Sequence, residues 1–180
     1  MKNKTFLAII LLTPILVVVI SSIYFSMGMS PDGTRNNGIF FKSYFDFNQF
    51  KNKDGDQDLI KFEDGKWILS VYVTDIDKSE ESIYLMRQLN VALNRDINKL
   101  KRVIFSKDRK ELESQLVDYP RIQVIIDSED NLYEKLLETG NKEFFLDQKI
   151  FIIDPYGRLV MYFPNDLTPK KILKDLKVLI

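Results

Sequence analysis

An uninterrupted apolar run opens the chain, before any alternating pattern appears. Phe6–Phe25 contains twenty residues, and none of them is charged. At a rise of ~1.5 Å per residue, a helix of this length spans the ~30 Å hydrocarbon core of a bilayer. Lys2 and Lys4 precede the run and the first acidic residue is Asp32, so the positive-inside rule predicts a cytoplasmic N-terminus. We therefore expect the rest of the chain to lie outside the inner membrane, in a periplasm-like space.

A cleaved signal peptide is the competing interpretation of this run. The apolar core of a signal peptide usually spans roughly 7–15 residues and is followed by a small-residue cleavage site. Here the run is longer, and the segment that follows, Tyr24–Ser30, is a poor cleavage site. Pro14 lies inside the run, and transmembrane helices tolerate proline better than soluble helices do. We predict an uncleaved anchor over residues 1–25.

Beyond a polar connector, apolar segments alternate between the spacing of a strand and that of a helix. Trp67–Val73 is almost continuously apolar, which is typical of a strand covered on both faces of its sheet. The later strand segments are shorter and are separated by charged segments with helical spacing. The predicted strands are 67–73, 100–105, 122–126, 149–153 and 158–163, and the predicted helices are 79–95, 107–117, 128–140 and 168–178.

Polar residues mark the start of the helix predicted over 79–95. Asp77, with Glu80 three residues later, forms a pattern similar to a capping box, and Ser79 is the alternative N-cap. Apolar residues then recur every three or four positions and predict a buried stripe, with Arg87 off the stripe on the surface. The stripe comprises Ile83, Met86, Leu89 and Leu93, widened by Leu85 and Ala92.

Turn and capping residues predict where the last strands and the closing helix begin. Asp154–Gly157 has proline in its second position and glycine in its fourth, as a type I β-turn prefers, which predicts a hairpin between the last two strands. Thr168 is the predicted N-cap of the closing helix, with Pro169 at the first helical position. The apolar residues that this helix is predicted to bury are Ile172, Leu173, Leu176 and Leu179.

The order of these elements predicts an α/β fold with a mixed central sheet flanked by helices, that is, a thioredoxin-like fold. Strands separated by helices are expected to run parallel through right-handed crossovers. A Rossmann-type fold is the alternative, but no G-x-G-x-x-G motif follows any predicted strand. We predict three parts: an anchor over 1–25, a juxtamembrane linker with an aromatic extension over 26–50, and a thioredoxin-like domain over 51–180.

Composition excludes several kinds of chemistry. The 180 residues include no cysteine and no histidine. Disulfides, thiol nucleophiles, Cys–His and Ser–His–Asp catalysis, and Cys/His metal sites are therefore excluded. The part after the anchor has 24 basic and 26 acidic residues, and this net charge of −2 does not favour nucleic acid as a partner. We predict no catalytic, cofactor-binding or metal-binding residue and expect that the protein is not an enzyme.

Two polar turns precede the first strand. Lys53–Asp58 has the D-x-D-x-D spacing of a calcium loop, but Leu59 and Gly65 occupy the positions where an EF-hand needs glycine and glutamate. We therefore predict a solvated turn there. Asp64-Gly65 lies between the apolar segment Leu59–Phe62 and the first strand, which predicts a hairpin.

Aromatic side chains are concentrated in the extension before these turns. They could sit at the membrane interface, where aromatic rings are favoured, or pack on the following domain. We predict that they pack on the domain. The residues concerned are Phe40, Phe41, Tyr44, Phe45, Phe47 and Phe50.

Several segments resemble a known family. Ile83–Asp96 (IYLMRQLNVALNRD) is similar to a helix of proteobacterial membrane-anchored proteins related to the Sco/SenC thioredoxin-like proteins, which are associated with cytochrome c oxidase biogenesis. The resemblance covers most of residues 36–180. Other stretches that fit it are Asn36–Gly38, Gly65–Leu69, Phe151–Leu159 and Ile172–Lys177.

The resemblance also implies where functional residues are expected. Sco proteins bind copper through two cysteines in the loop before the first helix and a distant histidine. The corresponding loop here is Thr74–Ser79, and the cysteine positions fall near Asp75 and Ser79, which cannot exchange disulfides. Asp75 and Asp77 are the only carboxylates of this loop that a hard cation could use, although exposed carboxylates are usually solvated.

Three functional hypotheses follow. The leading one is a membrane-tethered, non-catalytic accessory protein that supports cytochrome c oxidase assembly by contacting oxidase subunits or assembly factors. The second is a carboxylate-based metal carrier or enzyme that uses Asp75 and Asp77 with Tyr72 or Tyr84. The third is a structural module whose aromatic segment Phe40–Phe50 docks on a partner or on the bilayer.

Overall fold

The computed structural model describes residues 2–26, 36–41, 47, 64–108, 112, 116–119, 121–127, 130–140 and 143–180. The chain divides into two compact units, Met1–Arg35 and Asn36–Ile180. In the first unit, helix α1 extends over Lys2–Ser26 and contains Pro14. Its segment Phe6–Tyr24 is long and apolar enough to cross a membrane, a criterion of length and composition that a signal sequence near the N-terminus also meets.

The second unit is built on a six-stranded sheet with the order β1-β6-β5-β2-β3-β4. Strand β2 lies near its centre, between β5 and β3. Its side chains are buried on both faces of the sheet, as its continuous apolar sequence predicted. The strands are β1 (Ile39–Phe40), β2 (Trp67–Val73), β3 (Leu100–Ser106), β4 (Ile122–Ile126), β5 (Ile150–Ile153) and β6 (Leu159–Phe163).

The direction of β5 corrects the expectation that strands separated by helices run parallel. β2, β3 and β4 are parallel neighbours, as predicted. β5, however, pairs antiparallel with β2, and β6 pairs antiparallel with β5. The crossover rule concerns consecutive strands that run parallel in the same sheet. After β4, however, the chain crosses to the other side of β2 and forms β5 in the opposite direction. The resulting mixed sheet confirms the predicted thioredoxin-like fold.

Two hydrophobic cores cover the two faces of this sheet. Leu69 and Val71 of β2 face a core formed with helices α2 (Ile76–Ala92) and α5 (Pro169–Leu179). Ile68 and Tyr72 face the second core, which is rich in aromatic rings. This second core packs against helices α3 (Asn131–Gly140) and α4 (Glu143–Leu146), and α4 was not predicted from the sequence.

Helix α2 begins three residues earlier than predicted and ends three residues earlier. Its N-cap is Asp75, not Asp77 or Ser79, because the Asp75 carboxylate accepts from the backbone N–H of Asp77. At the other end Asn94 has a left-handed φ of 53°, which ends the α-helix before Arg95. A short 3₁₀ helix, Asn94–Lys99, follows.

The predicted buried stripe of α2 is largely confirmed. Its four principal residues, Ile83, Met86, Leu89 and Leu93, are all buried. Leu85 is partly buried, and Ala92 is exposed, so the stripe does not widen to that position. Arg87 is exposed, as predicted.

The remaining helices follow the predictions with small shifts. Thr168 is the N-cap of α5 and Pro169 is its first residue, as predicted. Ile172 and Leu176 are buried, whereas Leu173 and Leu179 are only partly buried. α3 starts at Asn131 rather than at Ser128, after Asp130 in a left-handed conformation.

Parts of several predictions lie outside the described residues. For the helix predicted over 107–117, Leu112 and Leu116 are helical and Leu112 is buried. The acidic turn at Lys53–Asp58 and the first arm of the hairpin, Leu59–Phe62, fall on residues that the structure does not describe. The same holds for Tyr44, Phe45 and Phe50.

Where the aromatic extension is described, Phe41 and Phe47 pack on the domain, whereas the Phe40 side chain is 41% exposed. Strand β1 pairs antiparallel with β6. The Phe41 amide donates to the carbonyl oxygen of Val160 at 3.1 Å, and the Phe41 ring lies 5.1 Å from that of Tyr162. Phe47 is buried, and its amide donates to the carbonyl oxygen of Gly157 at 2.7 Å. The packing prediction is thus confirmed for Phe41 and Phe47.

Candidate functional site

The loop that leads from β2 into α2 is the position to which the resemblance assigns the functional residues. Asp75 is tied into this loop through both carboxylate oxygens. Oδ1 accepts from the Asp77 amide at 3.2 Å, and Oδ2 lies 3.2 Å from Lys78 Nζ. The hydrogen bond from the Lys78 side chain lowers the pKa of Asp75. The carboxylate that a cation would need therefore already has a positively charged partner.

The other position in the loop, Ser79, is fully buried. Its hydroxyl donates to the carbonyl oxygen of Ile76 at 2.8 Å, a bond within the first turn of the helix. This geometry leaves the Ser79 side chain without access to solvent. Ser79 therefore stabilises the start of α2 and does not present a reactive group to the surface.

Gln148 closes the loop from the opposite side. Its side-chain Nε2 donates to the backbone carbonyl oxygen of Asp75 at 2.6 Å, and the backbone carbonyl oxygen of Gln148 accepts from the Ser82 hydroxyl at 3.1 Å. Gln148 is 1% exposed and has a φ of 44°, a left-handed conformation that is uncommon for a residue other than glycine. We call these three residues, Asp75, Ser82 and Gln148, the loop clasp.

The sequence did not indicate the loop clasp. Gln148 lies in a polar turn before β5, and its hydrogen-bond partner is 73 residues away. Its Oε1 is buried and has no hydrogen-bond partner among the described residues. A buried unpaired amide oxygen has an energetic cost, which the other hydrogen bonds of Gln148, including one from its backbone N–H to the carbonyl oxygen of Phe145, offset.

Tyr72 and Tyr84, the tyrosines proposed for a carboxylate-based site, have other partners. The Tyr72 hydroxyl donates to Asp127 Oδ2 at 3.1 Å. Tyr84 is exposed on α2, and its hydroxyl oxygen accepts from Gln88 Nε2 on the same helix. In the part of the chain that the structure describes, no hydrogen bond joins either tyrosine to Asp75 or Asp77.

Asp127 organises the start of α3 and the aromatic core beneath it. Its carboxylate accepts from the backbone N–H groups of Leu132 at 3.3 Å and Tyr133 at 2.9 Å, in addition to the Tyr72 hydroxyl. Burial, reinforced by the Asp127 charge, raises the pKa of Tyr72 well above its ordinary value. Tyr72 is consequently a neutral donor at physiological pH, which is a structural role.

A buried carboxylate fixes the point where the domain begins. Asp175 on α5 is 2% exposed, and its Oδ2 accepts from the backbone N–H groups of Asn37 at 2.7 Å and Gly38 at 2.9 Å. Oδ1 accepts from Asn37 Nδ2 at 2.8 Å. A side chain on Gly38 would lie 2.8 Å from Met161 Sδ, so glycine is needed at this close approach. We call this arrangement the entry latch.

The sequence contained a signal for the entry latch. Asp175 lies three residues after Ile172 and directly before Leu176, and therefore falls on the apolar stripe of an amphipathic helix. A carboxylate at such a position is buried only when it has hydrogen-bond partners. The stretches Asn36–Gly38 and Ile172–Lys177 were both part of the resemblance, but the contact between them became visible only in the fold.

The turn between β5 and β6 has a similar structural explanation. Asp154 is buried, and its Oδ1 accepts from the backbone N–H groups of Tyr156 and Arg158, both at 2.9 Å. The Arg158 side chain forms an ion pair with Asp154 Oδ2. The Asp154–Gly157 turn is therefore confirmed, and its aspartate stabilises the hairpin on which Phe47 docks.

The carboxylates of the domain are dispersed and engaged in separate contacts. Within the described ranges, no group of three or more carboxylates is close enough to hold a metal ion. Asp75 is held by Lys78, Asp127 by Tyr72 and backbone amides, and Asp175 by the entry latch. Each of these carboxylates contributes to the fold through contacts within the domain.

Comparison with known proteins agrees with this fold. Residues 73–180 match the family model of the transmembrane-like, thioredoxin-like C-terminal domain. The copper-bound ScoI of Bradyrhizobium japonicum is similar at a TM-score of 0.50 and 17% identity, over 79% of this chain and 99% of that one. BsSco, a member of the Sco family of cytochrome c oxidase assembly proteins, is similar at a TM-score of 0.50 and 17% identity, over 79% of this chain and 95% of that one.

A search of curated proteins finds no match. At 17% identity the likeness to the Sco structures establishes a shared fold and not a shared activity. The sequence match covers more than half of the chain and includes α2, the sheet from β3 onward and the closing helix. The chain therefore belongs to the family with a transmembrane-like, thioredoxin-like C-terminal domain.

Proposed function

We propose that this protein is a membrane-tethered, non-catalytic accessory factor that supports cytochrome c oxidase assembly through protein–protein contacts. Its N-terminus is cytoplasmic, helix α1 anchors it in the inner membrane, and the thioredoxin-like domain lies in the periplasm. The observation that carries this proposal is the loop clasp. In the loop where Sco proteins are expected to use cysteines, the Asp75 carbonyl oxygen accepts a hydrogen bond from the Gln148 side chain, which ties the loop to the domain.

The chemistry of the chain supports the non-catalytic part of the proposal. Without cysteine or histidine, a thioredoxin-like fold has neither the thiolate for disulfide exchange nor the soft and imidazole ligands that copper prefers. The Asp75 carboxylate caps α2, and the buried Tyr72 hydroxyl donates to Asp127 in the core. Binding energy from surface contacts is then the remaining means by which this domain could act.

The outer face of α2 is the contact surface that we propose. Tyr84 and Val91 lie seven positions apart, which places them on the same side of an α-helix, and both are exposed. Val91 is 60% exposed although it is apolar. Arg87 lies between them, and its guanidinium carbon Cζ is 5.8 Å from the centre of the Tyr119 ring. Exposed tyrosine and arginine side chains are enriched in protein interfaces.

A complementation experiment tests whether the function needs carboxylate chemistry. Deletion of the gene should lower cytochrome c oxidase activity in isolated membranes, and the wild-type gene should restore it. The D75N/D77N double variant should restore activity to the wild-type level, because asparagine is as good an N-cap as aspartate. If the folded double variant fails to complement, a carboxylate-based mechanism replaces this proposal; if deletion has no effect on oxidase activity, the assembly role is wrong.

A further inference from the structure

A basic cleft lies at the edge of the sheet opposite the loop clasp. It has a volume of about 200 Å³ and is formed where β2, β3 and β4 begin. Lys66 precedes β2, Lys101 and Arg102 belong to the start of β3, and Arg121 and Gln123 flank the start of β4. The loop clasp is at the carboxyl end of β2, so the two features are separated by the length of the strand.

Arg102 is the unusual residue of this cleft. It is 8% exposed, and its Nη1 atom is buried without a hydrogen-bond partner among the described residues. Burial lowers the pKa of Arg102, and the positive charges of Arg87 and Arg121 lower it further. A buried guanidinium next to two other arginines is unfavourable unless a negative charge compensates it.

The described residues around Arg102 do not supply that charge. The described residues that line the cleft include four basic side chains and no carboxylate. Asp64 lies nearby, but its carboxylate pairs with Lys101 at 2.5 Å and with Lys66 at 3.9 Å. Within the described part of the chain, no ion pair engages Arg102 or Arg121. The cleft therefore retains a local excess of positive charge.

We propose that this cleft binds the phosphate group of a small ligand, through Arg102, Arg121 and Lys66. Guanidinium groups match the geometry of phosphate oxygens and bind them through two parallel hydrogen bonds, in a monoester as in the diester of a lipid headgroup. Asn90 holds the cleft wall, since its Nδ2 donates to the carbonyl oxygens of Ile97 and Leu100 at 3.2 Å each. The phosphate can come from a soluble molecule or from a lipid headgroup.

Titration with inorganic phosphate tests the proposal on the full-length chain in phosphatidylcholine nanodiscs. The fluorescence of Trp67, the single tryptophan, reports on the cleft because this residue directly follows Lys66. Phosphate should produce a saturable change and a rise in Tm, relative to chloride at matched ionic strength. R102Q and R121Q should each weaken phosphate binding at least tenfold, whereas K174Q, on the exposed side of α5, should bind as the wild type does.

Arg121 is exposed, so R121Q keeps its fold even if R102Q does not. Unchanged affinity in R121Q, or the absence of saturable binding by the wild type, would overturn the proposal. A second titration in nanodiscs that contain phosphatidylglycerol identifies the source of the phosphate. If the wild type binds free phosphate more weakly in these nanodiscs than in phosphatidylcholine, and R121Q shows no such difference, the lipid headgroup occupies the cleft. If the affinity of the wild type is the same in both lipids, the cleft binds a soluble phosphate.

Discussion

Gln148 donates from Nε2 to the backbone carbonyl oxygen of Asp75 over 2.6 Å, and so joins the turn before β5 to the start of α2. The two residues are 73 positions apart in sequence, and the contact is partly buried. This geometry gives the loop before α2 a structural role. Its most direct consequences are for stability and for the way in which the domain acts.

The left-handed conformation of Gln148 permits a test with two variants. Q148A should destabilise the domain by about 2 kcal/mol, because the Asp75 carbonyl oxygen loses its partner and the backbone strain remains. Q148G loses the same hydrogen bond but relieves the strain at φ 44°, so it should be less destabilising than Q148A by about 1 kcal/mol. Urea denaturation of both variants measures the difference. Equal stability of Q148A and the wild type would contradict a role for the loop clasp.

The entry latch should make a large contribution to stability. D175A leaves the partly buried backbone N–H of Asn37 and the buried backbone N–H of Gly38 without their acceptor, and should lower the free energy of unfolding by about 3 kcal/mol. K174A, at the neighbouring exposed position of the same helix, should change it by less than about 0.5 kcal/mol. Denaturant titration gives both values, and a cost for D175A as small as that for K174A would rule out the entry latch.

The raised pKa of Tyr72 predicts that the free energy of unfolding falls at alkaline pH. Its pKa is raised in the folded state from an ordinary value of 10.0, so the folded state favours the neutral phenol. This contribution to stability is complete below pH 10 and is lost as the pH rises above it. Wild type should therefore be more stable than Y72F at pH 8, by about 1 kcal/mol for the hydrogen bond to Asp127.

At pH 11 that advantage over Y72F should shrink or reverse, since only the wild type must keep the Tyr72 phenol protonated. The other tyrosines are common to both proteins, so the comparison isolates Tyr72. The measurement is urea denaturation at the two pH values. A stability difference that stays constant between pH 8 and pH 11 would show that Tyr72 does not titrate with the raised pKa.

Local patterns were sufficient to predict most elements of the fold. The unbroken apolar sequence of Trp67–Val73 indicated a strand with both faces covered, and the stripe from Ile83 to Leu93 indicated the buried side of α2. Thr168-Pro169 and the Asp154–Gly157 turn depend on residues within four positions of each other, so sequence spacing determines them. The antiparallel direction of β5 depends on which strand it pairs with, and that choice is made by the whole sheet.

The candidate site was less predictable because its contacts join distant segments. Gln148 is an ordinary polar residue in a turn until Asp75 is placed beside it. Asp175 was detectable as a carboxylate on an apolar stripe, but Asn37 and Gly38 could not be identified as its partners without the fold. Asp75, in contrast, was considered as a site residue, and its local role as the N-cap of α2 was missed in favour of Asp77 and Ser79.

Co-purification tests the central claim, that this domain acts by contact and not by chemistry. Full-length wild-type protein, V91E and V178E are isolated from crosslinked host membranes in detergent, and the recovered proteins are quantified by mass spectrometry. V178E is the matched control, because Val178 is likewise an exposed valine, 74% accessible, but lies on a different helix, α5. Wild type and V178E should recover an oxidase subunit or assembly factor, and V91E should lose it. Recovery of no oxidase-related protein by the wild type, or equal recovery by V91E, would contradict the account.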